Sequence, residues 1–368
     1  MTHPGLFSEN PLIESLHIIG GKQLGGAELF YARLVNALHR RGHAALAMTV
    51  PDSLTAAEID PEVARIHTPM RGIWDVWSCW QIGKAIRQHH PDIVQTYMGR
   101  ATRLTRLPSG QRPVHVARLG GYYAPHGYRH AHAWVANSPG VHDHLIQHGF
   151  PPDRVFHVSN FVAPCVPTAP EALQSLRQAL AIPDEALLVV AVGRLHPVKG
   201  FDDLLDAFAV VPGWIHDRPI YLIIVGDGPL AHPLRRHAER LGIGDRVRWP
   251  GWRDDAGRFQ ELADLCVCSS RQEGIGNVIL EAWARRRPVL STRAHGLQDI
   301  ITDRENGWLT PVGDPVALAE AMTLMLRDEP LRHELAVNGH RTLLARHGEE
   351  VIVNAYLDLY QHVLTGLC

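Results

Sequence analysis

Two short stretches in the second half of the chain carry residue types that could hold a pyrophosphate. The first is Gly193-Arg194-Leu195-His196-Pro197-Val198-Lys199-Gly200, directly after an apolar run ending at Val192. At the carboxyl end of a strand, Arg194 can meet phosphate oxygens with a planar fork, and Lys199 adds a mobile point charge. On its own the pattern also fits an ordinary exposed turn. The second stretch is Ser270-Arg271-Gln272-Glu273-Gly274-Ile275-Gly276-Asn277-Val278-Ile279-Leu280-Glu281, with its two glutamates eight positions apart. Gly274 and Gly276 let the backbone turn sharply into a helix whose first N–H groups are unpaired and attract anions. Glu273 then lies on the sugar side of a bound phosphate. Glu281, further along the helix, can accept hydrogen bonds from vicinal ribose hydroxyls or form a surface ion pair with Arg285 four residues on.

Such loops need strands that end where helices begin. Leu16 to Ile19 is a short apolar run, GGKQLGGA is a glycine-rich turn, and Phe30, Leu34 and Leu38 mark one helix face, which opens a βαβ unit. Gly42 suits a helix C-cap, and Ala44 to Val50 returns as a strand. Asp92 to Thr96, Val114 to Leu119 and Ala133 to Asn137 continue the same sheet. The proline-rich FVAPCVPTAP at 161–170 marks a connector. Beyond it the alternation restarts with Leu187 to Val192, Tyr221 to Val225, Val247 to Pro250, Leu265 to Ser269 and Val289 to Ser291. The expected fold is α/β, with two Rossmann-like, doubly wound parallel-sheet domains facing across a cleft. The first domain is placed at 1–163, the second at 164–346, and residues 347–368 are expected to form a helix packing back on the first.

The chain of 368 residues is 45% hydrophobic and 20% charged, with 36 Lys and Arg against 38 Asp and Glu. That composition excludes disorder, and the near-neutral balance argues against bulk electrostatic binding of nucleic acid. Residues 1–163 hold 15 basic and 11 acidic side chains, a net of +4, which leaves −6 for the remainder. Positions 93–142 contain no acid at all but include Arg100, Arg103, Arg106, Arg112, Arg118 and Arg129. The tract is either a solvated surface or a surface for an anionic partner. Five scattered cysteines suggest a reducing cytosol. The stretch MTHPGLFSENP lacks the charge and apolar run of an export signal, and no run is long enough to span a bilayer. Cys266 and Cys268 are read as core residues pointing to opposite faces of a strand. His144 and His148 share a helix face without a third metal ligand in view. Trp74, Trp77 and Trp80 form a stripe that could dip into a membrane interface, although packing beneath the first sheet is the favoured reading.

Taken in order, GGAELF, VGRLHPVKGFDDLLDAF, LIIVGDGPL, SSRQEGIGNVILEAWA and NGWLTPVGDPVALAEA resemble the retaining glycosyltransferases of family 4, or group 1, which have the GT-B fold. MGRA at 98–101, ARLGGYY at 117–123 and VANSPGV at 135–141 are similar to bacterial members that build lipopolysaccharide cores or other surface glycans. The resemblance implies a metal-independent transfer of a sugar from a nucleoside diphosphate to a hydroxyl, with no cofactor beyond that donor. The acceptor would be a lipid-linked or cell-surface glycan such as lipopolysaccharide core. Glu273 would lie near the donor sugar and Glu281 would hold the ribose, while Arg194 and Lys199, beside Gly193, would grip the diphosphate. Amides around Gly274, Ile275, Gly276, Asn277 and Val278 would complete the phosphate cradle, and Gly25-Gly26 would approach from the amino-terminal loop. Gly226-Asp227-Gly228-Pro229 is read as a shaping turn. On the acceptor side Arg100, Arg118 and His126 are candidates, with His130 an alternative to His126. The chain departs from the family pattern at Gly120-Gly121-Tyr122-Tyr123, where many members carry a His-containing turn, and at His295-Gly296 with Asp299. The implied setting is cytoplasmic, with peripheral contact to an anionic inner-membrane face. Rival readings are a nucleotide-sugar epimerase, a sugar phosphorylase, or a silent sugar-nucleotide-binding subunit.

Overall fold

The computed structural model describes residues 12–108, 110, 112–163 and 165–366. The amino-terminal stretch read for an export signal and Cys368 lie outside them. By its contacts the chain divides into two units, one running to Asn160 and resuming at Glu349, the other Phe161–Gly348.

The first unit is built on strands β1 (Glu14–Ile19), β2 (Ala44–Thr49), β3 (Arg65–His67), β4 (Ile93–Tyr97), β5 (Val114–Leu119), β6 (Ala133–Ala136) and β7 (Val155–His157). They lie in the order β3-β2-β1-β4-β5-β6-β7, and every pairing is parallel. Parallel strands need crossover helices, so both sheet faces are covered and the central strands β4, β5 and β6 are buried along their whole length, Gln95, His115 and Arg118 included. The order reverses between β1 and β4. Ligands of open α/β sheets bind outside the strand ends at such a reversal.

The second unit holds β8 (Leu187–Val192), β9 (Trp214–Ile215), β10 (Arg218–Val225), β11 (Val247–Gly251), β12 (Leu265–Cys268), β13 (Val289–Thr292) and β14 (Trp308–Thr310). Its sheet runs β11-β10-β8-β12-β13-β14, with the short β9 antiparallel on β10. In β8 the side chains alternate between two cores. Leu187, Val189 and Ala191 join one apolar cluster, and Leu188 and Val190 the other. Here the reversal falls between β8 and β12, the strands that feed the two chemically interesting loops.

The helix Glu349–Gly366 closes the first unit. Tyr360 Oη donates to Gln95 Oε1 on β4 at 2.6 Å, Gln95 Nε2 donates to Tyr97 Oη at 2.7 Å, and Tyr97 Oη meets His17 Nδ1 at 2.9 Å. These groups are buried, so each hydrogen bond replaces water that none of them could otherwise reach.

Two sequence expectations are corrected here. Cys266 and Cys268 share one sheet face and one apolar cluster, because alternation separates each from Val267, not from the other. The tryptophans do not pack under the sheet: Trp74 is 87% exposed, Trp77 56% and Trp80 50%.

Candidate active site

The loops leaving β8 and β12 are joined by their own backbone. Arg271 N donates to Val198 O at 2.8 Å, and Ser269 Oγ donates to Lys199 O at 3.0 Å. Arg271 continues the connection with its side chain. Its Nη1 donates to Pro197 O at 3.0 Å and its Nη2 to the carboxylates of Asp202 (2.9 Å) and Asp203 (2.7 Å). Those aspartates occupy the first turn of the helix Phe201–Val210, where negative charge is favourable.

Lys199 is carried in this way to Glu273, and the ammonium forms an ion pair with Oε1, which also accepts from Ser270 Oγ at 2.9 Å. Burial alone would lower the Lys199 pKa, but the facing Glu273 carboxylate outweighs it and holds the ammonium above the ordinary lysine range. The site therefore keeps a protonated cation in a poorly solvated position. Arg194 is exposed at the mouth of the same loop.

A third turn supports the first. Gly193 N donates to Val225 O at 3.0 Å and Leu195 N to Asp227 O at 2.9 Å, so the Gly226–Pro229 turn after β10 holds the strand exit in place. A Cβ on Gly226, whose φ is 147°, would stand 1.9 Å from Gly193 O, and any side chain there would push the loop away.

After Glu273 the chain passes Gly274 and the buried Ile275 to Gly276, which caps the helix Asn277–Ala284 in the left-handed region at φ 67°. A Cβ at Gly276 would lie 2.3 Å from Leu297 Cδ2. Asn277 and Val278 open the helix, where the backbone dipole favours negative charge. Gln260 Nε2 anchors this turn from beneath by donating to Val278 O at 3.0 Å. Glu281 lies within the helix, and Arg285 Nη1 donates to its carbonyl oxygen at 2.9 Å. Among the described residues, no three or more His, Cys, Asp or Glu side chains cluster as metal ligands would.

In the first unit, Gly25 is the N-cap of the helix Gly26–Arg40. The buried Glu28 carboxyl is pushed up by desolvation and partly restrained by the amides of Glu28 and Gly25. Glu28 escaped the sequence reading. Its signal was present, since an acid at the third helical position commonly reaches back to the N-cap amide. Arg100 follows β4 and donates Nη1 to Gly20 O at 3.0 Å and Met70 O at 3.2 Å, so it fastens the loop leaving β1 across the reversal.

Arg118 has a different place from the acceptor-side one expected of it. It is 2% exposed, with Nε donating to Tyr356 Oη at 3.0 Å, Nη2 bonded to Asn160 Oδ1, and the guanidinium 3.9 Å above the Phe30 ring. Those contacts tie β5 to the closing helix and to Asn160, where the first segment of the unit ends. His130 Nε2 is committed to the carbonyls of Thr102 (2.8 Å) and Thr105 (2.9 Å). His126 is exposed in the turn Pro125–Tyr128 and lines a groove with Arg103 and Arg106.

Known proteins resemble this chain over both of its units. Residues 24–164 match the family model described as Glycosyltransferase Family 4, and residues 174–342 match Glycosyl transferases group 1. The lipopolysaccharide core biosynthesis glycosyltransferase LpsE of Rhizobium meliloti is 34% identical over 93% of this chain and 97% of its own. LpsD of the same organism is 32% identical over 94% and 97%. Among solved structures, Anabaena HepE in complex with UDP and glucose superposes with a TM-score of 0.80 at 22% identity, covering 95% of this chain and 99% of that one. WaaG, a glycosyltransferase involved in lipopolysaccharide biosynthesis, gives a TM-score of 0.72 at 19% identity, covering 96% and 100%. With both units matched in sequence and the whole architecture shared, the chain belongs to the group 1, family 4 glycosyltransferases and has the GT-B fold.

Proposed function

We propose that this glycosyltransferase moves a sugar from a nucleoside diphosphate, UDP or GDP, to a hydroxyl of a lipid-linked glycan of the lipopolysaccharide-core kind, with retention of the anomeric configuration and without a metal. The observation that carries the donor side is the Lys199–Glu273 pair, built from two loops at the β8/β12 reversal. A diphosphate entering there meets a cation already ionised, the Arg194 guanidinium at the rim, and the positive end of the helix that starts at Asn277. These groups favour the charge that grows on the leaving oxygen, and they need little rearrangement at the moment of reaction. Glu273 holds the ammonium until the donor arrives and then faces the sugar hydroxyls; Glu281 takes the ribose. The acceptor attacks from the face the diphosphate leaves, and a leaving phosphate oxygen takes its proton.

The names of the full-length relatives LpsE and LpsD support the acceptor class, and the acid-free Arg tract supports an anionic acceptor met by a peripheral protein at the cytosolic membrane face. HepE, crystallised with UDP and glucose, supports a UDP-linked hexose among the donors to try first. The test screens UDP, GDP and their sugars by thermal shift, because a ligand at about 100 times its Kd adds about 2.7 kcal/mol to stability. The stabilising donor is then incubated with truncated lipopolysaccharide cores, and the anomeric configuration of the product is read by NMR. No stabilisation by any nucleotide would overturn the donor site, and an inverted product would overturn the same-face mechanism.

A further inference from the structure

The helix Val76–His89 opens with apolar side chains that the described residues leave in solvent. Trp74 and Val76 are almost wholly exposed, Ile73, Trp77 and Trp80 are also in solvent, and the Trp77 and Trp80 rings stack at 5.0 Å. An apolar patch of this kind is unusual on a soluble surface and marks a contact. Beside it lies a groove of about 800 Å³, with Ile73, Trp74 and Val76 on one side and Arg87, Arg103 and Arg106 among its other lining residues. Lys84 Nζ sits 5.5 Å from the centre of the Trp80 ring. Residues 63–142 contain two acids, Asp75 and Asp92. Asp75 is spent on the helix start, accepting from Ser78 N at 3.1 Å and Arg71 N at 2.9 Å, and Asp92 pairs with Arg112 at 2.6 Å.

We propose that this surface docks on an anionic phospholipid bilayer, with Trp74, Trp77 and Trp80 lying at headgroup depth and Lys84, Arg87, Arg103 and Arg106 facing lipid phosphates. The charge pattern selects this occupant. Indole rings favour the boundary between water and hydrocarbon, and basic side chains beside them are drawn to an anionic leaflet. A second copy meeting the patch through a two-fold axis would set the same cations against each other. No described helix is long and apolar enough to cross a membrane, so attachment would be interfacial. The inference rests on the proposed lipid-linked acceptor and adds to it the surface from which such an acceptor is reached.

The full chain is sedimented with vesicles of phosphatidylglycerol and phosphatidylethanolamine, and separately with vesicles of phosphatidylcholine, while tryptophan emission is followed. Anionic vesicles are expected to retain at least about tenfold more protein, with a blue shift in emission that weakens as salt rises. Trp74→Ser/Trp77→Ser should abolish the shift. Lys84→Glu/Arg87→Glu should cut retention by more than about fivefold per charge while leaving the indoles in place. Both variants change exposed side chains, and an unaltered melting temperature checks their fold. Equal retention on the two vesicle types would overturn the proposal, as would a concentration-dependent dimer that the tryptophan variant abolishes. Nucleotide binding is measured in parallel: docking that fails while UDP or GDP still stabilises the protein sinks this inference alone, whereas loss of nucleotide binding sinks the donor site.

Discussion

Replacing Lys199 with alanine tests the donor site most directly. The ammonium is held above the ordinary lysine pKa of 10.5, so between pH 6 and 9 the wild type presents a full charge and the variant none. A preorganised group that stabilises charge on a leaving oxygen is worth about 10²–10³ in kcat, or about 2.7–4 kcal/mol. The same change has a structural cost. Glu273, whose side chain is 13% exposed, keeps the Ser270 hydroxyl but loses its cation; an uncompensated charge in such surroundings costs on the order of 1–3 kcal/mol. Lys199→Ala/Glu273→Gln removes that burden without restoring the cation. The double variant should therefore regain thermal stability, which assigns the single variant's lost stability to the unpaired carboxylate, while its kcat stays low for want of both the cation and the carboxylate that faces the sugar. Release of nucleoside diphosphate is measured at saturating donor and acceptor, well below either variant's melting temperature. A kcat within about threefold of wild type in both would refute the idea that this cation carries the departure of the diphosphate.

Gly226→Ala should lower the melting temperature by several degrees and raise the donor KM, because its Cβ would force Gly193 O outward; calorimetry together with a donor titration checks both, and an unchanged KM would show the turn to be slack. Burial holds the His17 pKa at about 3 and that of His115 well below the ordinary 6.5, with His130 and His132 adding to the effect at His115. Below pH 6.5 the unfolded chain binds protons at these sites and the folded one does not. Stability is therefore whole above pH 6.5 and falls as pH drops, by about 1.4 kcal/mol per unit for each such group, down to about pH 3 for His17. Urea midpoints that stay flat between pH 7.5 and 5.0 would contradict this. Chelation with EDTA is expected to leave turnover intact, and a strict, reversible need for a divalent ion would count against diphosphate binding by side chains and helix amides alone.

The central strands were legible where apolar residues predominate and a glycine turn follows: Leu187–Val192 is apolar throughout, and Val114–Leu119 is interrupted only by His115 and Arg118. Val114 to Leu119 and Leu187 to Val192 coincide with β5 and β8 to the residue. The edges β3, β7 and β14, three residues each, were missed since a run so short has no measurable period. Motif spacing put Lys199 and Glu273 among the same few candidates, but their pairing depends on Arg271 joining two loops that are about 70 positions apart in the chain. Arg118 was misplaced for the same reason. Its neighbours in sequence are Ala117 and Leu119, with glycines and tyrosines following, whereas its partners, Tyr356 and Asn160, are distant and cannot be read from local pattern. The tryptophan stripe has helical spacing that is identical whether the face is covered or bare, and only the surrounding surface decides between them.

The closing helix has a consequence for synthesis. Phe161–Gly348 is one continuous segment, while the first unit lacks Tyr356 and Tyr360 until the helix Glu349–Gly366 is made. On the ribosome, the later unit can therefore finish folding first, and the earlier one waits with Gln95 lacking Tyr360 and Arg118 lacking Tyr356. Damage to the helix Glu349–Gly366 would consequently be felt in strands β4 and β5 of the first unit, far earlier in the chain.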